Sequence, residues 1–307
     1  MNALFVVEDV VGKNMILATN NLRSNVFKPT GTVVAFREDG KAEFTTGTTK
    51  ISGRWELLRD GLMLTERGQP LVFDSKETRN GTVYAVCRGL DDSQDRVILF
   101  EQKLLDLNRL GVCVSSHTRF VGTAIPRLMK SLSNTPFSLS RAVIVVGDSK
   151  IPNVSTHKSG AKLVETQKNL LGFTAFSEAD ELRGSDYWLL LHDTCEVLPD
   201  FPQQLSGIDV GLNPDIITFV GAKERLEIGI YANSFVQTAR IGEMHGKSYE
   251  HMNEVHKRAN IILDLREALK RLPPKDIYGE GIKRETVTIP SLGVRKFRGE
   301  SISGGRP

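Results

Sequence analysis

The sequence predicts two dissimilar parts. Residues 1–104 read as an antiparallel β-barrel or sandwich, and residues 105–298 as an α/β domain with a mostly parallel mixed sheet. Residues 299–307 (GESISGGRP) read as a disordered tail. Three observations carry this reading. Short apolar runs separated by Asp-Gly and Asn-Gly turns fill the first third of the chain. Unbroken β-branched runs alternating with helical stripes fill much of the rest. The chain has 307 residues, 40% hydrophobic and 25% charged, which are ordinary globular values at a length that suits two domains.

In the first part, strands are expected over residues 32–37 (TVVAFR), 41–45, 54–58, 62–65, 71–73, 82–87 and 97–101. The breaks fall at Asp39-Gly40, Asp60-Gly61, Arg67-Gly68 and Asn80-Gly81, where glycine supplies the positive φ of a tight hairpin. Close, regular spacing of short strands suggests a meander closed into a small barrel or folded into a sandwich. Trp55 has two roles open to it, a core residue or a stacking platform for a sugar, and burial statistics favour the core. The run GTVVAFREDGKAEF followed by ISGRWELLRDGLMLT resembles the consecutive hairpins of lipocalin-like small barrels.

The second part changes period. Residues 110–115 (LGVCVS), 142–146 (AVIVV) and 187–191 (YWLLL) are short apolar runs suited to strands buried on both faces. Between the first two, Ala124, Ile125, Leu128, Met129 and Leu132 form a helical stripe, with Pro126 expected in its first turn. Met252, Val255, Ala259, Ile262, Leu265 and Leu269 recur every three or four residues and predict a second helix, stopped by Pro273-Pro274. Strand–helix–strand order predicts right-handed crossovers.

Composition narrows the function classes. The net charge is only +3, and apart from Arg295, Lys296 and Arg298 no basic block stands out, so nucleic acid is not an expected partner. The N-terminal run is interrupted by Glu8 and Asp9 and does not read as a signal peptide. No segment reaches the roughly 20 apolar residues of a membrane span. Cys87, Cys113 and Cys195 are widely spaced and fit buried thiols in a reducing compartment. A cytoplasmic location is the expectation.

The informative chemistry lies at three strand ends. After LGVCV comes Ser115-Ser116-His117-Thr118-Arg119. After AVIVV comes Gly147-Asp148-Ser149-Lys150, and after YWLLL comes His192-Asp193-Thr194-Cys195-Glu196. In a parallel sheet all three ends share one edge, where α/β proteins place ligands. All six histidines (His117, His157, His192, His245, His251 and His256) fall in this part of the chain, although each singly reads as surface solvation. No GxGxxG or GxxxxGK follows a predicted strand, which weighs against other nucleotide-using α/β enzymes.

The succession of SSHTR, VIVVGDS, a stretch with Asn169 and Gly172, and YWLLLHDTCEVLPDF resembles the GT-A fold nucleotide-sugar glycosyltransferases of the large inverting family, over residues 110–300. The resemblance implies a GT-A-like domain that transfers a sugar from a nucleotide-diphosphate donor with inversion. The acceptor is open: saccharide, lipid-linked or small molecule. It implies Asp148 at the nucleotide, with Ser115, His117, Arg119, Lys150 and Asp193 around the donor, and Mn²⁺ or Mg²⁺ as cofactor. Where the family carries Asp-x-Asp, this chain has His192-Asp193-Thr194, with Glu196 three residues on. The metal ligands expected are therefore Asp193, His192 and His245, with Thr194 as a weak oxygen donor and Cys195 a packed thiol. Arg284 joins Arg119 and Lys150 as a candidate diphosphate clamp, beside a loop marked by Gly279 and Gly281. Glu224, Glu227 and Glu243 are available as general base, and no spacing singles one out. Two other readings follow from the same residues: a degenerate GT-A-like domain that binds without catalysis, and a barrel that carries an apolar ligand.

Overall fold

The computed structural model describes residues 4–21, 26–79, 81–87, 95–221, 224–238, 261–264, 270–272, 284–289 and 292–299. It divides into two compact units. The first comprises Met1–Leu104 with Asp209–Pro214 and Asn260–Ile262, and the second comprises Leu105–Ile208, Asp215–Ala259 and Leu263–Pro307.

The first unit carries β1 (Asn14–Asn21), β2 (Val26–Phe36), β3 (Lys41–Thr46), β4 (Thr49–Leu58), β5 (Gly61–Glu66), β6 (Gln69–Arg79), β7 (Thr82–Cys87) and β8 (Asp95–Glu101). Each strand pairs antiparallel with the next, and β1 pairs with both β2 and β8. The meander is therefore a closed eight-stranded barrel, in which β2 extends beyond its pairing with β3 at Thr32–Phe36. Its first strand was not expected from the sequence, although Met15, Ile16, Leu17 and Ala18 form an apolar run that is buried throughout.

Alternate positions on successive strands converge in one apolar cluster that includes Leu17, Phe36, Phe44, Leu64, Phe73 and Leu99. Each buried Phe contributes about 1.5–3 kcal/mol. Trp55 packs against this cluster, with its ring edge-on to Phe36 at 5.7 Å and its indole N–H donating to Arg37 O at 2.8 Å. Phe5, Phe36, Phe44 and Phe73 occupy this cluster, and a cavity of about 440 Å³ lies beside it, lined in part by Met15, Ala85 and Leu99. Gly40, Gly68 and Gly81 take the positive φ expected of hairpin turns. Gly61 does not. It is small for a different reason, since a Cβ there would meet Phe73 O at 2.7 Å.

The second unit contains β9 (Leu110–His117), β10 (Ala142–Gly147), β11 (Asn153–Thr156), β12 (Lys162–Glu165), β13 (Tyr187–His192), β14 (Cys195–Val197), β15 (Ile216–Gly221) and β16 (Glu224–Ala232). The main sheet runs β15-β16-β13-β9-β10-β12-β11. Its centre is parallel (β13, β9, β10, β12), while β16, β15 and β11 are antiparallel to their neighbours. The sheet is thus mixed, with β9 and β10 buried almost throughout. The helix α1 (Ala124–Ser133) buries Ala124, Ile125, Leu128, Met129 and Leu132, the stripe read from sequence, with Pro126 in its first turn. Two shorter helices follow, α2 (Phe201–Ser206) and α3 (Asn233–Thr238).

One expectation is overturned. Within the helical stripe predicted over Met252 to Leu269, Ile262 lies in a strand, β17 (Ile261–Asp264), which meets β2 in parallel at Ile261 and Phe27. Ile261-Ile262-Leu263 is an apolar run with two β-branched residues, and three apolar residues satisfy a strand as readily as a helical period. The rest of that predicted helix lies outside the described residues. Finally β18 (Lys270–Leu272), β19 (Arg284–Ile289) and β20 (Val294–Gly299) join β14 in a small antiparallel sheet ordered β14-β20-β19-β18. The predicted tail lies outside the described residues from position 300 on. Among the described residues no helix is long and apolar enough to cross a membrane. Cys87, Cys113 and Cys195 are buried and none is in a disulfide.

Candidate functional site

Three parallel strands deliver their carboxyl ends to one edge. In register, Gly147 lies opposite His117 and His192 lies opposite Ser115. The loops that follow therefore start side by side, and their side chains meet. His117 Nε2 lies 2.7 Å from Asp148 Oδ2, which also accepts from Asn169 Nδ2 at 2.7 Å. Ser116 Oγ donates to Asp193 Oδ2 at 2.8 Å, and Asp193 N–H donates to Ser115 O at 3.0 Å.

The tautomer of His117 follows from its contacts. Nδ1 accepts the backbone N–H of Arg119 at 2.9 Å, so in the neutral ring the proton sits on Nε2 and is donated to Asp148. Both nitrogens are engaged, and His117 is a brace rather than an available base. Asp148 is held in the left-handed region at φ +57°, a conformation that Asp tolerates better than most residues. The preceding Gly147 is packed so closely that a Cβ would meet Lys168 O at 2.7 Å. That contact lays the Asp148 turn on the 166–174 segment, where Ser149 N–H donates to Thr166 O and Thr166 N–H to Val146 O, both at 2.9 Å.

Asp193 is buried, and burial raises its carboxyl pKa. The hydrogen bonds from the Ser116 hydroxyl and the Thr194 N–H act in the opposite direction, and burial prevails. The loop carrying Asp193 is fixed from two sides. Val197 N–H donates to Ser131 Oγ of α1 at 3.0 Å, and β14 pairs with β20. Beside the Asp148 turn lies a cleft of about 570 Å³ whose wall includes Pro152, Glu165, Thr166, Lys168 and Glu178. Lys168 and Thr166 both contact Glu178 Oε1, at 3.3 and 2.7 Å.

The remaining expected site residues are distributed as follows. Ser115 turns away from the edge's open side, bonding Gly172 O and the Ala175 N–H, and is a structural tie within the domain. Arg119 and Lys150 are exposed on the loops after β9 and β10, and the Arg119 guanidinium rests 5.2 Å from the Phe120 ring. His192 is half-buried at the end of β13. Cys195 is buried in β14, as a packed thiol would be. His245, His251, His256, Glu243, Gly279 and Gly281 lie outside the described residues, as do the side chains of Glu224, Glu227 and Arg284. Sequence reasoning missed that Ser116 bonds Asp193 and that Asn169 bonds Asp148. Only the pairing of β9 with β13 and of β10 with β12 brings these groups together, and neither leaves a local signal.

The donor set bears directly on the expected divalent ion. Glu196, the second carboxylate of HDTCE, is engaged by Arg295 at 3.4 Å. Among the described residues no group of three or more His, Cys, Asp or Glu is assembled. Asp193 is then a single buried carboxylate with one oxygen already bonded to Ser116. The described residues do not by themselves make a cage for Mn²⁺ or Mg²⁺, which take several oxygen ligands.

No family model matches the chain, and no curated protein matches it. Solved structures similar to it include residues 1–349 of TarS of S. aureus in complex with UDP-GlcNAc (TM-score 0.37, 13% identity, 52% of this chain and 56% of that one). Others are the glycosyltransferase GlyE of Streptococcus pneumoniae TIGR4 (TM-score 0.36, 16% identity, 50% and 45%) and Rv0371C of Mycobacterium tuberculosis H37Rv in complex with manganese (TM-score 0.35, 13% identity, 51% and 89%). The chain spans about half the length of the TarS and GlyE chains. At these TM-scores the likenesses carry no functional argument, which rests instead on the strand-end geometry.

Proposed function

We propose that the second unit binds a nucleotide-diphosphate sugar at the carboxyl edge of β9, β10 and β13 and transfers the sugar to an acceptor hydroxyl. The observation that carries this reading is the meeting of three strand ends, with His117 on Asp148 and Ser116 on Asp193. A braced, half-exposed carboxylate at the first turn suits the hydroxyl and N–H donors of a nucleoside. Asp193 would lie at the diphosphate end, where a divalent ion would answer the negative charge of both the carboxylate and the phosphates.

In this reading the acceptor oxygen attacks the anomeric carbon as the bond from that carbon to the diphosphate oxygen breaks. The electron pair departs on the diphosphate, and the acceptor proton passes to a base. Inversion follows from attack opposite the leaving group. Arg119 and Lys150, both exposed at this edge, would add positive charge near the phosphates. Assistance by Mn²⁺ or Mg²⁺ belongs to the same proposal and is tested with it.

A thermal-shift panel of UDP-, GDP- and dTDP-sugars, each with Mn²⁺ and with EDTA, tests the reading, because a ligand of the native state raises its apparent stability as ln(1 + [L]/Kd). A shift with one nucleotide series supports it, and none with any series contradicts it. The engagement of Glu196 by Arg295 favours a second reading, in which the domain binds the donor without turning it over. Transfer and donor-hydrolysis assays on the wild type and Asp193→Ala separate the two.

A further inference from the structure

The cavity of about 440 Å³ in the barrel has all its described walls within the first unit. It lies where β1 begins, at Asn14, and β8 ends, at Glu101. Strand alternation places its charges. Residues directly opposite one another on antiparallel neighbours share a face. Glu101 is opposite Met15 and Lys76 opposite Ala85, so both charged residues share the face that holds the apolar cluster. Interior positions of a small barrel are ordinarily filled by packed side chains. Here two of them carry charge, and space remains beside Met15, Ala85 and Leu99.

The segment before β1 supplies a further wall through Phe5, Asp9, Val10 and Lys13. Lys76 Nζ lies 2.8 Å from Asp9 Oδ2 and 4.7 Å from the centre of the Phe5 ring, and Lys13 Nζ lies 3.4 Å from Glu101 Oε2. Two ion pairs thus line one cavity, with Lys103 as a further ammonium among the described residues. These walls discriminate among ligand classes. An apolar ligand would take water from the charged groups without replacing its hydrogen bonds, which is costly. A free anion would meet Asp9 and Glu101 beside the ammonium groups that pair with them. A neutral ligand with several hydroxyls avoids both costs, because a hydroxyl donates to a carboxylate and accepts from the ammonium next to it, leaving the pair intact. Its C–H face can pack on Met15, Ala85 and Leu99. The volume lies within the range of about 300–1,000 Å³ of small-molecule sites, which occur in the mouths of β-barrels. We propose that this cavity binds a neutral saccharide through the Lys76–Asp9 and Lys13–Glu101 pairs. No residue of the second unit enters the proposal, which therefore stands apart from the donor reading.

Methyl NMR of the full chain with isotope-labelled methionine tests it. Met15 lines the cavity, and Met129, in α1 of the second unit, reports binding elsewhere. Glucose, galactose, mannose and N-acetylglucosamine are titrated separately, as are sodium phosphate and octanoate. At least one sugar shifts the Met15 methyl saturably and leaves Met129 in place. Lys76→Ala and Glu101→Ala each weaken that sugar about tenfold, as expected for hydrogen bonds to charged groups. Both side chains are partly exposed, so the two variants keep melting temperatures near that of the wild type. The proposal is overturned if no sugar moves Met15, if only phosphate or octanoate moves it, or if the sugars move Met129 alone. It is equally overturned if either variant binds the sugar as tightly as the wild type.

Discussion

His117 Nε2 and Asp148 Oδ2 lie 2.7 Å apart, joining the ends of two adjacent parallel strands. The contact is half-exposed, so its contribution to stability is small, about 0–1 kcal/mol. Its consequence is geometric. With Nδ1 held by the Arg119 N–H and Asn169 on the same carboxylate oxygen, Asp148 is aimed before any ligand arrives.

Asp148→Asn therefore separates stability from binding. Asn tolerates the left-handed backbone at φ +57°, so the melting temperature should move by no more than the equivalent of about 1 kcal/mol. Nucleotide affinity should fall about tenfold, since an amide offers one acceptor oxygen in place of two. Unchanged affinity in a calorimetric titration would remove Asp148 from the site.

Asp193→Asn should behave differently from a core lesion. Burial already penalises the Asp193 charge, and Ser116 can still donate to an amide oxygen. Thermal stability should be equal or higher at neutral pH, while transfer falls by about two orders of magnitude, as for loss of a transition-state electrostatic contact. Lost stability with retained turnover would make Asp193 purely structural.

Gly147→Ala tests whether the packing of the Asp148 turn matters. A Cβ would meet Lys168 O at 2.7 Å and Thr174 Cγ2 at 3.0 Å, so the 168–174 segment must shift. Overpacking of this kind costs about 1–3 kcal/mol. Because the same segment carries Asn169, nucleotide affinity should drop together with the melting temperature. A stable variant with wild-type affinity would show that the turn has slack.

The strand ends were legible because buried parallel strands need unbroken apolar runs. YWLLL, AVIVV and LGVCV are short enough to favour strands over helices, and their polar followers share an edge because β9, β10 and β13 are parallel. The hairpins were legible through their glycines, although at Gly61 the reason is close approach to Phe73 O rather than a left-handed backbone. What was not legible depends on distant pairing. β1 closes the barrel through contacts some 80 residues away in sequence, with Met15 opposite Glu101, and the apolar run in NMILATNN does not announce that pairing. Ile262 fits a helical period and lies in a strand. Lys296 reads as one member of a basic surface patch, and β20 pairing with β14 buries it opposite Cys195.

Asp209 in the first unit predicts a pH dependence. Its Oδ1 accepts the Gly211 N–H at 2.7 Å, and burial raises its pKa to about 6 against the opposing Gly211 and Lys103 N–H groups. The native state then binds more protons than the unfolded chain between pH about 4 and 6. This stabilising contribution is full below pH about 4 and is lost as pH rises through about 6, on the order of 2 kcal/mol after allowance for partial exposure. Urea denaturation of wild type and Asp209→Asn at pH 5 and pH 7.5 should show the variant gaining relative stability at the higher pH. Parallel behaviour at both values would contradict the assignment.

The most direct test of the central claim is the thermal shift of the full chain with UDP-, GDP- and dTDP-sugars in EDTA and in Mn²⁺. The strand-end site predicts a concentration-dependent rise in melting temperature for one nucleotide series, abolished in Asp193→Ala. No rise with any donor in either condition would contradict it.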